Sequence, residues 1–416
     1  MKKEEVSGKK EEASAKKEEP WVRTRHRVVR FLFWWIVWLL CWFKYGIRPE
    51  RFRGTDGPYL ILFNHETPLD QFFVALSFRD PVYFLATEDI FSTGWVAKLL
   101  KWAVAPIPIK KTTTDLNALR TMVKVSKEGG TIAIAPEGNR TYSGKTEHML
   151  PTISHFAKLL NMPVILYRIE GGYGVEPRWS TAVRRGPMRA YVSELIPAEE
   201  VKELSKEALF ERIERGLYVN EANSDASYRS RKKAEYLERA AYVCPFCGFS
   251  VFESHGDETE CLSCHRKIRY REDKRLEGVG FDFPFEYFND WYEYQKDFVN
   301  RLDVTRLTDD ALFTDRARVS EVIVYERKER LFDNAEIRLY GDRMEVLSEG
   351  AEPWVLPFRE VSSAAVLGRN KLNVYHDGKV FQFKGDRRFN AIKYVNLFFR
   401  YKNIQKGDEN GEFLGL

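Results

Sequence analysis

Two short runs carry residues able to do chemistry together: His65-Glu66-Thr67-Pro68-Leu69-Asp70, and Pro136-Glu137-Gly138-Asn139-Arg140. Imidazole titrates near neutral pH, so a neutral His65 can take a proton from an alcohol while Asp70 holds the ring tautomer and stabilises the imidazolium. In the second run, a glycine-containing turn ending in arginine suits a phosphate through bidentate hydrogen bonds. Lys110 and Lys111 add positive charge. No serine or cysteine stands in an obvious nucleophile motif. The alcohol therefore belongs to a substrate, which would attack an activated acyl group directly. Taken alone, an H-x-x-x-x-D run is more often a loop histidine bonded to its own helix terminus. The second run, following a strand-like segment just as the first does, is what argues for a site.

The elements that must position these residues alternate along the chain. Tyr59 to Phe63, Val82 to Ala86, Val104 to Ile109, Thr131 to Ala135 and Pro163 to Ile169 read as strands, and residues 69–79, 91–102, 115–128 and 150–160 as helices. Such alternation predicts a largely parallel sheet covered on both faces. Ligands of open α/β sheets bind outside the carboxyl ends of the strands, where both runs and the Lys110-Lys111 turn fall. The helix at 115–128 is the clearest, with Asp115 as N-cap, Leu116, Leu119 and Val123 on one stripe, and Gly129-Gly130 ending it.

The two runs, with Asn64 before the first and Thr141 after the second, resemble the glycerolipid acyltransferases that make phosphatidic acid, the lysophosphatidic acid acyltransferases. The resemblance covers roughly residues 25–215. It implies that His65 is the catalytic base and Asp70 its partner, and that Glu137, Gly138 and Arg140 receive the acceptor phosphate. Ile109-Lys110-Lys111 is similar to the family's intermediate basic motif, with lysine where arginine is usual. Met162-Pro163-Val164-Ile165-Leu166 fits a fourth motif, but Tyr167-Arg168 stands where a second proline is usual. The implied reaction moves a fatty acyl group from an acyl-CoA or acyl-carrier-protein thioester to 1-acylglycerol 3-phosphate, without an organic cofactor. Another lysophospholipid or a glycolipid head group is the alternative acceptor.

The chain has 416 residues, enough for two or three domains, and a net charge of +5 that suits an anionic membrane or a phosphorylated substrate as well as nucleic acid. Four of its five cysteines form Cys244-x-x-Cys247 and Cys261-x-x-Cys264, 13 residues apart, the spacing of a closed tetrahedral zinc site. Such a site predicts structural Zn2+ held by thiolates, and hence a reducing compartment. A non-catalytic zinc-ribbon protein binding nucleic acid or a scaffold is the rival reading. Glu253, Asp257, Glu258 and Glu260 make the knuckle loop acidic, so nucleic acid is not an expected partner.

Residues 1–20 repeat Lys-Lys-Glu-Glu and read as a solvated tail. Phe31 to Phe43 is an unbroken run of 13 apolar residues, seven of them Phe or Trp, with arginines before it and basic residues after. The run alone covers about 20 Å as a helix, against about 30 Å of hydrocarbon. That length predicts a membrane-associating helix over 21–47 lying in the interface, at the cytoplasmic face. An acyltransferase domain is expected over 48–220. A charged helical linker with the zinc ribbon at 241–272 should fill 221–318, helical over 198–240. A small β domain of pleckstrin-homology type, ending in a helix with Phe389, Ile392, Val395 and Phe399, is expected over 319–416. Hairpin turns are predicted at Gly341-Asp342 and Asp377-Gly378.

Overall fold

The structure is a computed structural model. It describes residues 19–416 except 55–56, 88–90, 92–94, 110–114, 324–326, 409–410, 412 and 414–416. Most of the predicted tail, together with Lys110 and Lys111, lies outside the described residues.

Strands β1 (Leu60–Phe63), β2 (Val82–Thr87), β3 (Ile107–Ile109), β4 (Thr131–Ile134), β5 (Val164–Glu170) and β6 (Arg189–Ile196) form one sheet in the order β3-β2-β4-β1-β5-β6. Every pairing among the first five is parallel, and β6 runs antiparallel on the edge. Alternate residues of the central strands feed two cores: Leu60, Leu62, Ile132 and Ile134 pack on one face, Ile61, Phe63, Ala133 and Tyr167 on the other. Burial on both faces explains why these strands read as continuous apolar runs.

Helices α2 (Asp70–Ser77), α3 (Trp95–Ala103), α4 (Leu116–Lys127) and α5 (Thr152–Leu160) join these strands. Asp115 caps α4 as expected, accepting from the amides of Asn117 and Ala118. The buried stripe of α4 is nevertheless Ala118, Met122 and Val125, with Leu116 57% exposed. The small Ala118 lets the helix lie close on the sheet, and a stripe read from leucines misses it. Only α6 (Ala198–Glu203) and α7 (Lys206–Leu217) are α-helical in the segment expected to be helical over 198–240. Beyond Leu217 the chain is irregular up to a single 3-10 turn at Leu237–Arg239. There it packs against the region of the four cysteines, where tertiary contacts outweigh helix propensity.

Helix α1 (Thr24–Tyr45) has 22 residues, about 33 Å at 1.5 Å per residue. It takes in the arginines ahead of the aromatic run, and it is long and apolar enough to cross a membrane, with 11% of its most apolar stretch buried. The aromatic run, short for a span by itself, thus belongs to a helix whose length and composition would allow one. Phe31, Leu32, Phe33, Trp35, Ile36, Leu40 and Phe43 are exposed, so a buried core helix is excluded.

The C-terminal half begins with a four-stranded antiparallel sheet, β12-β11-β10-β9, and a two-stranded piece, β7-β8. These comprise β7 (Val243–Cys244), β8 (Gly248–Phe249), β9 (Phe252–His255), β10 (Glu258–Cys261), β11 (Lys267–Tyr270) and β12 (Leu276–Gly278). After helix α8 (Phe288–Asn300) come β13 (Phe313–Ile323), β14 (Arg327–Leu339), β15 (Arg343–Leu347), β16 (Trp354–Pro357), β17 (Val361–Leu367), β18 (Lys371–His376) and β19 (Lys379–Gly385). They make a seven-stranded antiparallel sheet, β16-β15-β14-β13-β19-β18-β17, and both predicted hairpin turns join neighbouring strands in it. Helix α9 (Ile392–Lys406) closes the module; Phe389 precedes it.

One continuous core runs from Trp179 through Cys244, Phe252 and Trp291 to Phe398. The ribbon region and the β domain thus share an interior, and Trp179 of the N-terminal half is sunk into it against Tyr270 and Phe288, at 5.6 and 6.3 Å between ring centroids. Trp179→Ala should cost about 3–5 kcal/mol of stability, measured by denaturant unfolding of the full chain.

Candidate active site

The parallel register of β1 and β4 pairs Leu62 with Ile134. Three residues beyond each stand His65 and Glu137, so the two motif loops leave adjacent strand ends side by side. Glu137 links them: one carboxylate oxygen accepts from the amide of His65 and the other from the amide of Glu147, each at 2.8 Å. The amide of Thr141 closes the loop on the carbonyl of His65 at 3.2 Å. On the other flank Asn64 extends the sheet by side chain, accepting from the amide of Ile169 at 2.7 Å and donating to its carbonyl at 2.8 Å.

Asp70 is the first residue of α2 and fully buried. It accepts from the amides of Glu66 (2.6 Å) and Thr67 (2.9 Å) and from the Thr67 hydroxyl (2.6 Å). Its Oδ2 also meets His65 Nδ1 at 2.8 Å. That bond assigns the proton to Nδ1, leaving Nε2 as the base. Desolvation holds the His65 imidazole below its ordinary value; the bond and charge of Asp70 oppose this, while Arg140 and Arg178 push it lower still. The ring is therefore neutral at physiological pH.

His65 lines a cavity of about 1900 Å³. Its apolar walls include Phe33, Trp34 and Val37 of α1, Phe72 of α2, and Leu100 of α3. Its lining also includes Ser362 and Ser363 of β17 and Phe399 of α9.

Gly138 lies at φ +70 with no atom within 4 Å of where a Cβ would stand, so the backbone conformation is what calls for glycine. Arg140 has a buried Nη1 without a hydrogen-bond partner, and its guanidinium is pushed down to about 10, chiefly by desolvation and then by Arg178 and Arg369. Glu137 lines the cavity and also ties the loops together through its two backbone donors; desolvation pushes it up to about 8 against their pull. Glu66 accepts from the amide of Tyr173 at 2.9 Å, an approach that requires Gly172, since a Cβ there would stand 2.4 Å from that of Glu66. Desolvation and the nearby Glu221 carboxyl raise Glu66 well above the ordinary carboxyl range.

The irregular Tyr167-Arg168 stretch has a structural explanation. Tyr167 is buried, its hydroxyl meeting Ser77 Oγ at 2.7 Å, and Arg168 donates to the carbonyl of Tyr218 at 3.0 Å. Asn64, Glu147 and Arg178 are site residues that the motif readings did not assign. Arg178 meets partners 38 to 190 residues away, and Glu147 is tied to Glu137 through its backbone amide, so neither contact imposes a residue type that a motif would show.

None of the four cysteines lines this cavity; the sulfurs of Cys244, Cys247, Cys261 and Cys264 lie within 4.8 Å of one another. Separations of 3.8 Å (Cys244–Cys264) and 3.5 Å (Cys247–Cys261) exceed any disulfide and match the edges of a tetrahedron with metal–sulfur bonds of about 2.3 Å. The four could hold a metal ion with no open position.

A largely parallel sheet carrying this dyad and turn at adjacent strand ends fits an acyl-transfer domain. Residues 47–167 match the family model described as Acyltransferase. A search of curated proteins returns no match. Among solved structures, the chain is 19% identical to the 1-acyl-sn-glycerophosphate acyltransferase PlsC from Thermotoga maritima, over 47% of this chain and 80% of that one, at a TM-score of 0.38. The N-terminal PH domain of human ARAP2 aligns over 22% of this chain and 81% of its own, at 15% identity and a TM-score of 0.19.

The imidazole of His65 should titrate below the ordinary value of about 6.5. In Asp70→Asn it should titrate lower again, because Asp70 supplies the bond and charge that raise it. NMR titration of the ring protons checks both, and a value above 6.5 in the wild type would contradict the assignment.

Proposed function

We propose that the chain transfers a fatty acyl group from a coenzyme A or acyl-carrier-protein thioester to the free hydroxyl of 1-acylglycerol 3-phosphate, forming phosphatidic acid. The observation that carries this reading is the His65–Asp70 dyad set on a large, mainly apolar cavity beside an exposed aromatic helix. His65 Nε2 takes the proton of the acceptor hydroxyl as its oxygen attacks the thioester carbonyl. The tetrahedral intermediate collapses, the C–S bond breaks, and the departing thiolate recovers that proton from the imidazolium. Asp70 orients the ring and stabilises its charged form. Arg140, with an unpartnered Nη1, holds the acceptor phosphate.

Lipid access follows from α1 and α3. Phe31 is 79% exposed and Trp95 74%, with Leu99 and Trp102 on the same helix as Trp95 also bare. Arg25 lies over Trp102 at 5.7 Å and Arg51 over Trp34 at 4.7 Å, where guanidinium heads meet the interface. An aromatic platform of this kind seats the cavity at the membrane that supplies acceptor and takes product. Thiolate ligands for structural Zn2+ need a reducing compartment, which favours the cytoplasmic face. The C-terminal antiparallel module with its closing helix is read as PH-like in outline.

His65→Ala should lower acyl transfer by about 10²–10⁴ at unchanged secondary structure, in an assay over lysophosphatidic acid and other lysolipids with both thioester donors. Near-full activity in that variant would sink the mechanism, and a product formed only from non-phosphate acceptors would redirect it to another lysophospholipid or a glycolipid. Purified under reducing conditions, the chain should carry one zinc per molecule by elemental analysis. Cys247→Ser with Cys264→Ser should lose the metal and lower the melting temperature, because ligation contributes directly to folding.

A further inference from the structure

Arg178 lies in the segment between β5 and β6 and is 2% exposed. Its Nη1 donates to the carbonyl of Arg140 at 2.8 Å, and its Nη2 to the side-chain oxygen of Asn139 at 3.3 Å. The same guanidinium reaches the other way, from Nη2 to the carbonyl of Val366 at 3.3 Å and from Nε to the carbonyl of Gly368 at 3.2 Å. The ring of Tyr142 covers it at 4.2 Å. All four acceptors are neutral, and among the described residues no carboxylate pairs with it. A buried cation without an ion pair is expensive, so this fork is kept for what it joins. It joins the Gly138–Arg140 loop to the turn between β17 and β18.

The same turn is pinned a second time. Arg369 pairs with Glu176, itself 2% exposed, which also receives Lys44 Nζ at 2.8 Å and the hydroxyl of Tyr45 at the end of α1. Two residues of one segment, Glu176 and Arg178, thus anchor the C-terminal domain to the membrane-facing helix and to the phosphate-type loop. Between the loop's backbone closures, from the amides of Gly138 and Thr141, the Arg140 carbonyl and the Asn139 amide oxygen are held by Arg178.

We propose that Arg178 is a positioning residue through which the β17–β18 turn of the C-terminal domain holds the Gly138–Arg140 loop against His65, so that the added domain sets acceptor affinity. This rests on the reading that the loop receives the acceptor phosphate. Lysine at 178 keeps the charge and loses the fork, since an ammonium cannot span acceptors on two sides. Arg369→Ala loosens the turn and leaves the Arg178 fork intact.

The test uses the full chain in lipid vesicles: wild type, Arg178→Lys, Arg178→Ala and Arg369→Ala. Acceptor KM, donor KM and kcat are measured together with hydrogen exchange of peptides covering residues 137–141, using β13 as an internal reference. Expected in Arg178→Lys is an acceptor KM raised about tenfold, as for loss of hydrogen bonds from a charged donor, with donor KM unchanged and faster exchange in the loop but not in β13. Arg369→Ala should show the same pattern more weakly, and it carries the test with the lysine variant if Arg178→Ala fails to fold. Unchanged loop exchange in the Arg178 variants overturns the proposal, as does a rise in donor and acceptor KM by equal factors. If the wild type transfers no acyl group to any phosphate acceptor, the functional reading fails, and the exchange measurement still decides the positioning role.

Discussion

The carboxylate of Glu137 occupies the point on which the geometry of the site depends. Parallel pairing of β1 with β4 brings two loops to one sheet edge, but pairing alone leaves their tips free to differ in angle. Glu137 removes that freedom by accepting from His65 and Glu147 at once. Asn64 does the corresponding work against β5, and Asp70 gathers the amides of Glu66 and Thr67 before meeting the imidazole. His65 is therefore fixed from its backbone on two flanks and from its ring on a third. A reacting group held to within about half an ångström needs support of this kind from rigid elements.

Much of this was legible in the sequence, and the reasons are local. Strands buried on both faces leave unbroken apolar runs, so β1, β4 and β5 were visible, and the αβ alternation implied their parallel order. His65 and Asp70 stand within one turn of chain, close enough for spacing to imply contact. Edge strand β6 was missed because half-exposed positions thin its apolar pattern. The true stripe of α4 was missed because alanine carries little hydrophobic signal. Arg178 was invisible as a site residue because all four of its acceptors are carbonyl-type oxygens, two of them nearly two hundred residues away. A hydrogen bond to a backbone carbonyl imposes no residue type on its partner.

The C-terminal half shows a different limit. Two cysteine knuckles announce a ribbon from spacing alone, and turn pairs announce hairpins. What neither announces is that the ribbon region, α8 and the β sheet would share a core with Trp179 of the N-terminal half. Shared burial of that kind arises from nonlocal packing, and each contributing segment looks self-sufficient in sequence. The consequence is functional as well as mechanical, since β17 and α9 supply part of the cavity that His65 lines.

Charge completes the connection between these parts. Arg140 and Arg178 face His65 closely enough to lower its affinity for a proton, while Asp70 raises it. An anionic phosphate seated at Arg140 would offset the two guanidinium charges and leave the influence of Asp70 in place. The imidazole would then become a stronger base when the acceptor is bound than when the site is empty. A donor thioester arriving without an acceptor would meet a weaker base and no hydroxyl in place, which disfavours wasteful hydrolysis. The guanidinium proposed to hold the acceptor phosphate would thus also tune the base that activates it.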